Sequence, residues 1–177
     1  VLKKDDNYYS IGKSFREVMG TSTQLFTDFL MHDHYVWNSA RARAHHGTVE
    51  VRPCCQQPWH ERMAAATLAL GLIEARVEVT EYFDRQLGAQ AWPRLSQHLD
   101  EVVVKGLAAQ EPCPDFLKHV LQFCERGLAR RGEGEEVFMA PLHSRLIQGK
   151  NPGQKALSVF KEEGIDGFIK FAAIAKF

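Results

Sequence analysis

The stretch "HHGTVEVRPCCQQPWHERM", residues 45–63, decides how the rest of the chain is read. From Thr48 to Arg52 polar and apolar side chains alternate, and in a strand side chains two apart share a face. Thr48, Glu50 and Arg52 point one way, Val49 and Val51 the other. The valines are expected to look inward, so the glutamate and arginine must face water or line a site. Pro58 closes the extended segment and stands where a first helical turn tolerates it.

Downstream of that strand the chain reads as helix after helix. "WHERMAAATLALGLIEARVEVTEYFDRQLG" supplies about thirty residues of strong helix formers before Gly88. Its early part is apolar nearly all round, which predicts burial between other elements. "AWPRLSQHLDEVVVKGLAAQ" carries an apolar stripe of Leu95, Leu99, Val102, Val103 and Leu107. "PDFLKHVLQFCERGLARRG" does the same with Phe116, Leu117, Val120, Leu121, Phe123 and Cys124, and its late Arg126, Arg130 and Arg131 suit a helix C-terminus. In "GEGEEVFMAPLHSRLIQG" Glu135 and Glu136 come early and Arg145 late, with Pro141 expected to kink or split the helix. Asn151 and Pro152 read as a cap and first helical residue, and "IDGFIKFAAIAKF" as a closing apolar helix.

Upstream, "SFREVMGTSTQLFTDFLM" has a rough helical period broken near Gly20, which predicts two short helices, with extended chain near "DHYVWNS". "VLKKDDNYYS" offers no obvious nucleating element, and the opening on Val1 suggests a piece of a longer protein. The fold class is therefore α+β, predominantly helical with few strands. A lone strand cannot satisfy its backbone, so its sheet is expected to be completed by strands outside this sequence.

Composition limits what such a fold can serve. The 177 residues are 45% hydrophobic and 25% charged, an ordinary globular balance that suits a single segment over 1–177. Lys+Arg and Asp+Glu are both 22, so there is no basic excess to neutralise a nucleic acid backbone. The longest apolar run, "MAAATLALGLI" at 63–73, is stopped by Glu74 and Arg76, short of the roughly twenty residues that a membrane span needs. The four cysteines have neither zinc-ligand nor C-x-x-C spacing, which fits a reducing cytoplasm.

"VWNSARARAHHGTVEVRPC" resembles the signature of the glutamate-cysteine ligase-like carboxylate-amine ligases, in which a tryptophan-containing segment and an arginine lead into a strand of the form G-T-hydrophobic-E-hydrophobic-R. The order of the flanking helices is similar too, so the likeness covers most of the chain. It leaves out the family's N-terminal half, which brings other metal-binding carboxylates. The resemblance implies the C-terminal part of a glutamine-synthetase-like antiparallel-sheet fold and of a larger catalytic domain. It implies an ATP- and magnesium-dependent ligase that joins glutamate to an amine such as cysteine through an acyl phosphate. By the same resemblance Glu50 ligates magnesium, Arg52 holds a phosphate or substrate carboxylate, and Arg41 adds a second positive group. The chain departs from the pattern at Ser39, where many relatives carry aspartate, at Ala42 in place of proline, and at Val104 and Lys105, where an arginine is usual.

Each of these residues has a plainer reading. An E-x-R pair on a strand is most often a solvated ion pair, and Arg41 sits in what reads equally as a basic loop. His32, His34, His45 and His46 suggest zinc, but adjacent histidines at a turn do not converge easily. Cys54 and Cys55 have no neighbouring base and read as buried thiols rather than as a nucleophile or redox pair. Gln56 and Gln57 are either substrate contacts or a helix-entry loop, the latter slightly favoured. Two function classes follow: a ligase that needs its N-terminal half or a partner chain, and a non-catalytic helical interaction subunit derived from the same fold.

Overall fold

The computed structural model describes residues 2–4, 7–9, 12–14, 17, 29, 30, 32, 33, 40–52, 54 and 57–173. The chain divides into two compact units, residues 1–54 and 55–177. Most of the helical segment expected over 14–31, and Ser39 with the tryptophan segment before it, lie outside the described residues.

The first unit holds two antiparallel hairpins. β1 (Leu2–Lys4) pairs with β2 (Asn7–Tyr9), Leu2 opposite Tyr9, so the opening segment does hold regular structure. β3 (Ala40–Arg43) pairs with β4 (Thr48–Val51), which sets Arg41 opposite Glu50 and Arg43 opposite Thr48. The segment that read as a basic loop is therefore a strand, and β4 finds a hydrogen-bonding neighbour a few residues upstream. A 3-10 turn at Ala44–His46 and then Gly47, at φ 62°, reverse the chain. A side chain disfavours that left-handed conformation, which explains a glycine there.

The burial of this hairpin is the reverse of the sequence expectation. Val49 is 65% and Val51 44% exposed, while Arg41, on the charged face, is only 8% exposed. Arg41 is sheltered where it pairs with Glu50 and donates to the Asp33 carbonyl.

The second unit is helical: α1 (Ala64–Glu74), α2 (Arg76–Gln86), α3 (Ala91–Lys105), α4 (Phe116–Arg131), α5 (Ala140–Gln148) and α6 (Pro152–Ala172). The thirty-residue helix expected from Pro58 is thus three pieces, a 3-10 turn at Trp59–Glu61 followed by α1 and α2, with a break at Ala75. Ala75 is fully buried there, and its backbone nitrogen would lie 3.1 Å from a Cβ at Gly127 of α4. On the same seam a Cβ at Gly71 would lie 2.7 Å from Cys124 Cβ. Small residues let α1 and α4 approach to near backbone contact. Ile73 and Val77 are left exposed while Leu68 and Leu70 pack on the core and Val79 and Tyr82 are buried, so burial is one-sided, against the expectation of all-round burial.

α4 is the central element. Tyr82, Leu87, Cys113 and Phe116 form one buried cluster, with Leu95 packed against it; Leu121, Cys124, Leu128 and Met139 form a second, with Leu68, Leu142 and Leu146 around it. The apolar positions read from the α4 sequence all fall on these clusters. α3 does not follow its own pattern: Leu95 reaches the core, but Val103 is 80% exposed and no residue of the helix is fully buried.

Punctuation read from the sequence is where the chain turns. A 3-10 segment Glu135–Met139 precedes α5, with Pro141 in its first turn. Asn151 and Gln154 form a reciprocal capping box at the start of α6, the Asn151 side chain accepting from Gln154 N at 2.8 Å. Gly164, at φ 69°, breaks α6 between the two helical segments expected there. No helix among the described residues is long and apolar enough to cross a membrane.

Candidate functional site

The alternation of β3 and β4 gathers Arg41, Arg43, Thr48 and Glu50 on one face, and Arg52 follows just beyond β4. Glu50 is the focus. Its Oε2 accepts from Arg41 Nε at 2.9 Å and lies 3.5 Å from Arg43 Nη1, while its Oε1 accepts from Arg52 Nε at 2.9 Å. Hydrogen bonds from Arg41, and then from Arg52, hold the Glu50 carboxyl below the usual glutamate range. Arg41 also donates to the Asp33 carbonyl, and the Asp33 carboxylate lies 3.7 Å from Arg43.

All three residues singled out on the strand motif are therefore brought together. Arg43 was missed, although the two-residue spacing of Arg41 and Arg43 is itself a strand signal once β3 is recognised. Asp33 carries no signal in sequence, since its contacts with Arg41 and Arg43 follow no local period.

Among the described residues, three guanidiniums meet two carboxylates. Planar guanidinium forks suit an oxyanion, whether phosphate or carboxylate. They suit magnesium less well. A hard dication needs several oxygen ligands, both Glu50 oxygens already accept from arginine, and no group of three or more His, Cys, Asp or Glu converges among the described residues. The chemistry of this face suits an anion better than a metal cation.

The other candidate residues separate from this face. His45 and His46 are exposed at the turn, with ring centroids 5.0 Å apart. Cys54 is an exposed free thiol, against the expectation of burial, and Cys55 and Gln56 lie outside the described residues. Gln57 belongs to the second unit, where its Oε1 accepts from Arg145 Nη2 at 2.7 Å. Arg145 also donates through Nε to Glu61 at 3.1 Å and pairs with the same carboxylate through Nη2. Burial pushes Glu61 up, but the Arg145 hydrogen bond and charge bring it below the usual range. This cluster fixes the entry of the second unit onto α5, which supports the helix-entry reading of Gln57. Val104 and Lys105 end α3, Lys105 pairing with Glu101 at 2.8 Å.

Comparison of the chain with protein-family models, with curated proteins and with solved structures finds no significant match.

Proposed function

We propose that the chain is the C-terminal part of an ATP-dependent carboxylate-amine ligase of the glutamate-cysteine ligase-like kind, on a glutamine-synthetase-like fold. The observation that carries this reading is the sheltered face on which Arg41, Arg43 and Arg52 converge on Glu50, on the strand whose sequence resembles that family's signature. An attack of a substrate carboxylate on the terminal phosphate of ATP, which breaks its bond to the bridging oxygen and releases ADP, brings two anions together. Preorganised guanidiniums lower the cost of that approach by neutralisation and positioning, with no protein nucleophile. In this reading Arg52 and Arg41 hold phosphate or substrate carboxylate. Glu50 would become one magnesium ligand on releasing an arginine hydrogen bond, together with carboxylates from outside the described residues. The amine, such as that of cysteine, then displaces phosphate from the acyl phosphate.

The exposed valine face of β4 agrees with a need for the remaining half of the sheet or a partner chain. The test is acyl-phosphate trapping: the natural full-length protein is given glutamate, ATP, magnesium and hydroxylamine. The expected result is glutamyl hydroxamate, lost in Glu50→Gln and strongly reduced in Arg52→Ala. Undiminished hydroxamate in both variants would refute the roles assigned to the hairpin.

A second reading, a non-catalytic helical interaction subunit, is favoured by one observation. Trp92, Leu99 and Val103 fall at helical spacing on one side of α3, and all three are exposed. Absence of any ATP-dependent hydroxamate from the full-length protein, with a stable partner retained through purification, would favour this reading over the first.

A further inference from the structure

The second unit carries a groove that the hairpin chemistry does not involve. Its volume is about 500 Å³. Glu125 of α4 lines it together with Glu136 and Val137 of the 3-10 segment, and with His143 and Ile147, one turn apart on α5. Two of its polar atoms are orphaned: Glu136 Oε2 and His143 Nε2 are closed off from solvent and make no hydrogen bond among the described residues. Glu125 Oε2 lies 3.5 Å from that imidazole nitrogen. Folded proteins leave few buried polar atoms unpaired, and two beside one groove point to a ligand that brings donors.

The chemistry of these walls narrows the ligand. Two carboxylates face the groove, and among the described residues no lysine or arginine lines it, so it selects positive charge. A metal ion does not fit, since no three His, Cys, Asp or Glu side chains converge to hold one among the described residues. Acceptors set apart on α4, the 3-10 segment and α5 suit a cation that spreads its donors. A guanidinium presents five N–H groups over a plane, enough for both carboxylates and the imidazole nitrogen. The flanks decide what delivers it. Val137 is 63% and Ile147 87% exposed, so the groove is open and does not enclose a small ligand as such sites do. Exposed apolar side chains around a charged slot are what a protein surface covers, and arginine, with its apolar stem, is enriched at such contacts.

We infer that this groove receives an arginine side chain from a partner protein. The guanidinium lies between Glu125 and Glu136, and apolar residues beside that arginine cover Val137 and Ile147. The inference is independent of the ligase reading, whose phosphates and amino acid carboxylates the two glutamates repel.

Calorimetric titration of the natural full-length protein with a blocked leucyl-arginyl-leucine peptide tests it. Saturable one-to-one binding is expected, weakened about tenfold in Glu136→Gln, the loss of one charge-assisted contact. The same peptide with citrulline, which keeps the shape of arginine without its charge, should bind at least tenfold more weakly. Ile147→Ala, at an exposed position that the fold does not depend on, should weaken binding severalfold and decides the matter should Glu136→Gln fail to fold. Arg52→Ala, which disables the proposed ligase site, should bind the peptide as the wild type does. No saturable binding, unchanged affinity in Glu136→Gln and Ile147→Ala, equal affinity for the citrulline or lysine peptide, loss of binding in Arg52→Ala, or binding of free agmatine as tight as that of the peptide would each overturn the assignment.

Discussion

Gly71→Ala perturbs the seam between α1 and α4 at its tightest point. The added Cβ would stand 2.7 Å from Cys124 Cβ, 3.2 Å from Cys124 Cα and 3.3 Å from the Cys124 carbonyl oxygen. No rotamer change relieves contacts with a Cβ and a backbone, so the two helices must separate. Overpacking of this kind costs typically 1–3 kcal/mol, and an unyielding neighbour argues for about 3. Alanine recovers about 1 kcal/mol of helix propensity. The net destabilisation is then about 2 kcal/mol, or roughly 4–8 °C in Tm for a chain of this size. Urea unfolding followed by far-ultraviolet circular dichroism measures it, with the same substitution repeated in a Cys124→Ala background. Because the clash is with Cβ and backbone, removing the sulfur should not rescue it. A neutral or stabilising Gly71→Ala, or rescue by Cys124→Ala, would refute close backbone approach as the reason for this glycine.

Leu128, fully buried on α4, should lose about 2–5 kcal/mol on replacement by alanine, read as a lower urea midpoint at unchanged slope. The Glu50 carboxyl, held low by Arg41 and then Arg52, should titrate by carbon-13 NMR below the ordinary glutamate range. Because its folded value is depressed, its ion pairs persist at neutral pH and are lost only as pH falls through that value. Arg52→Ala should move the midpoint back up, and an unchanged midpoint would count against the Arg52 contact. Burial pushes the Cys124 thiol up to about 11, so at pH 7.5 alkylation by iodoacetamide should modify exposed Cys54 well before Cys124. Equal rates, by peptide mass spectrometry, would contradict the buried seam.

The sequence by itself determined what is local. Proline and glycine at Pro141, Pro152 and Gly164, and the Asn151 cap, mark real boundaries because each acts through the backbone of its own turn. The period of two around Glu50 placed Glu50 and Arg52 side by side, and the apolar period of α4 named its core residues correctly. Tertiary structure alone decided which faces are covered. Val49 and Val51 look like core and are exposed, while Arg41 looks like surface and is buried, held by Glu50 across the hairpin and by the Asp33 carbonyl, contacts that exist only once β3 pairs with β4 and Asp33 approaches. Val103 continues an apolar stripe that only Leu95 carries into the core. The break at Ala75 likewise has no mark in a run of good helix formers. It follows from contact with Gly127, some fifty residues away, and such long-range approach has no local period to betray it.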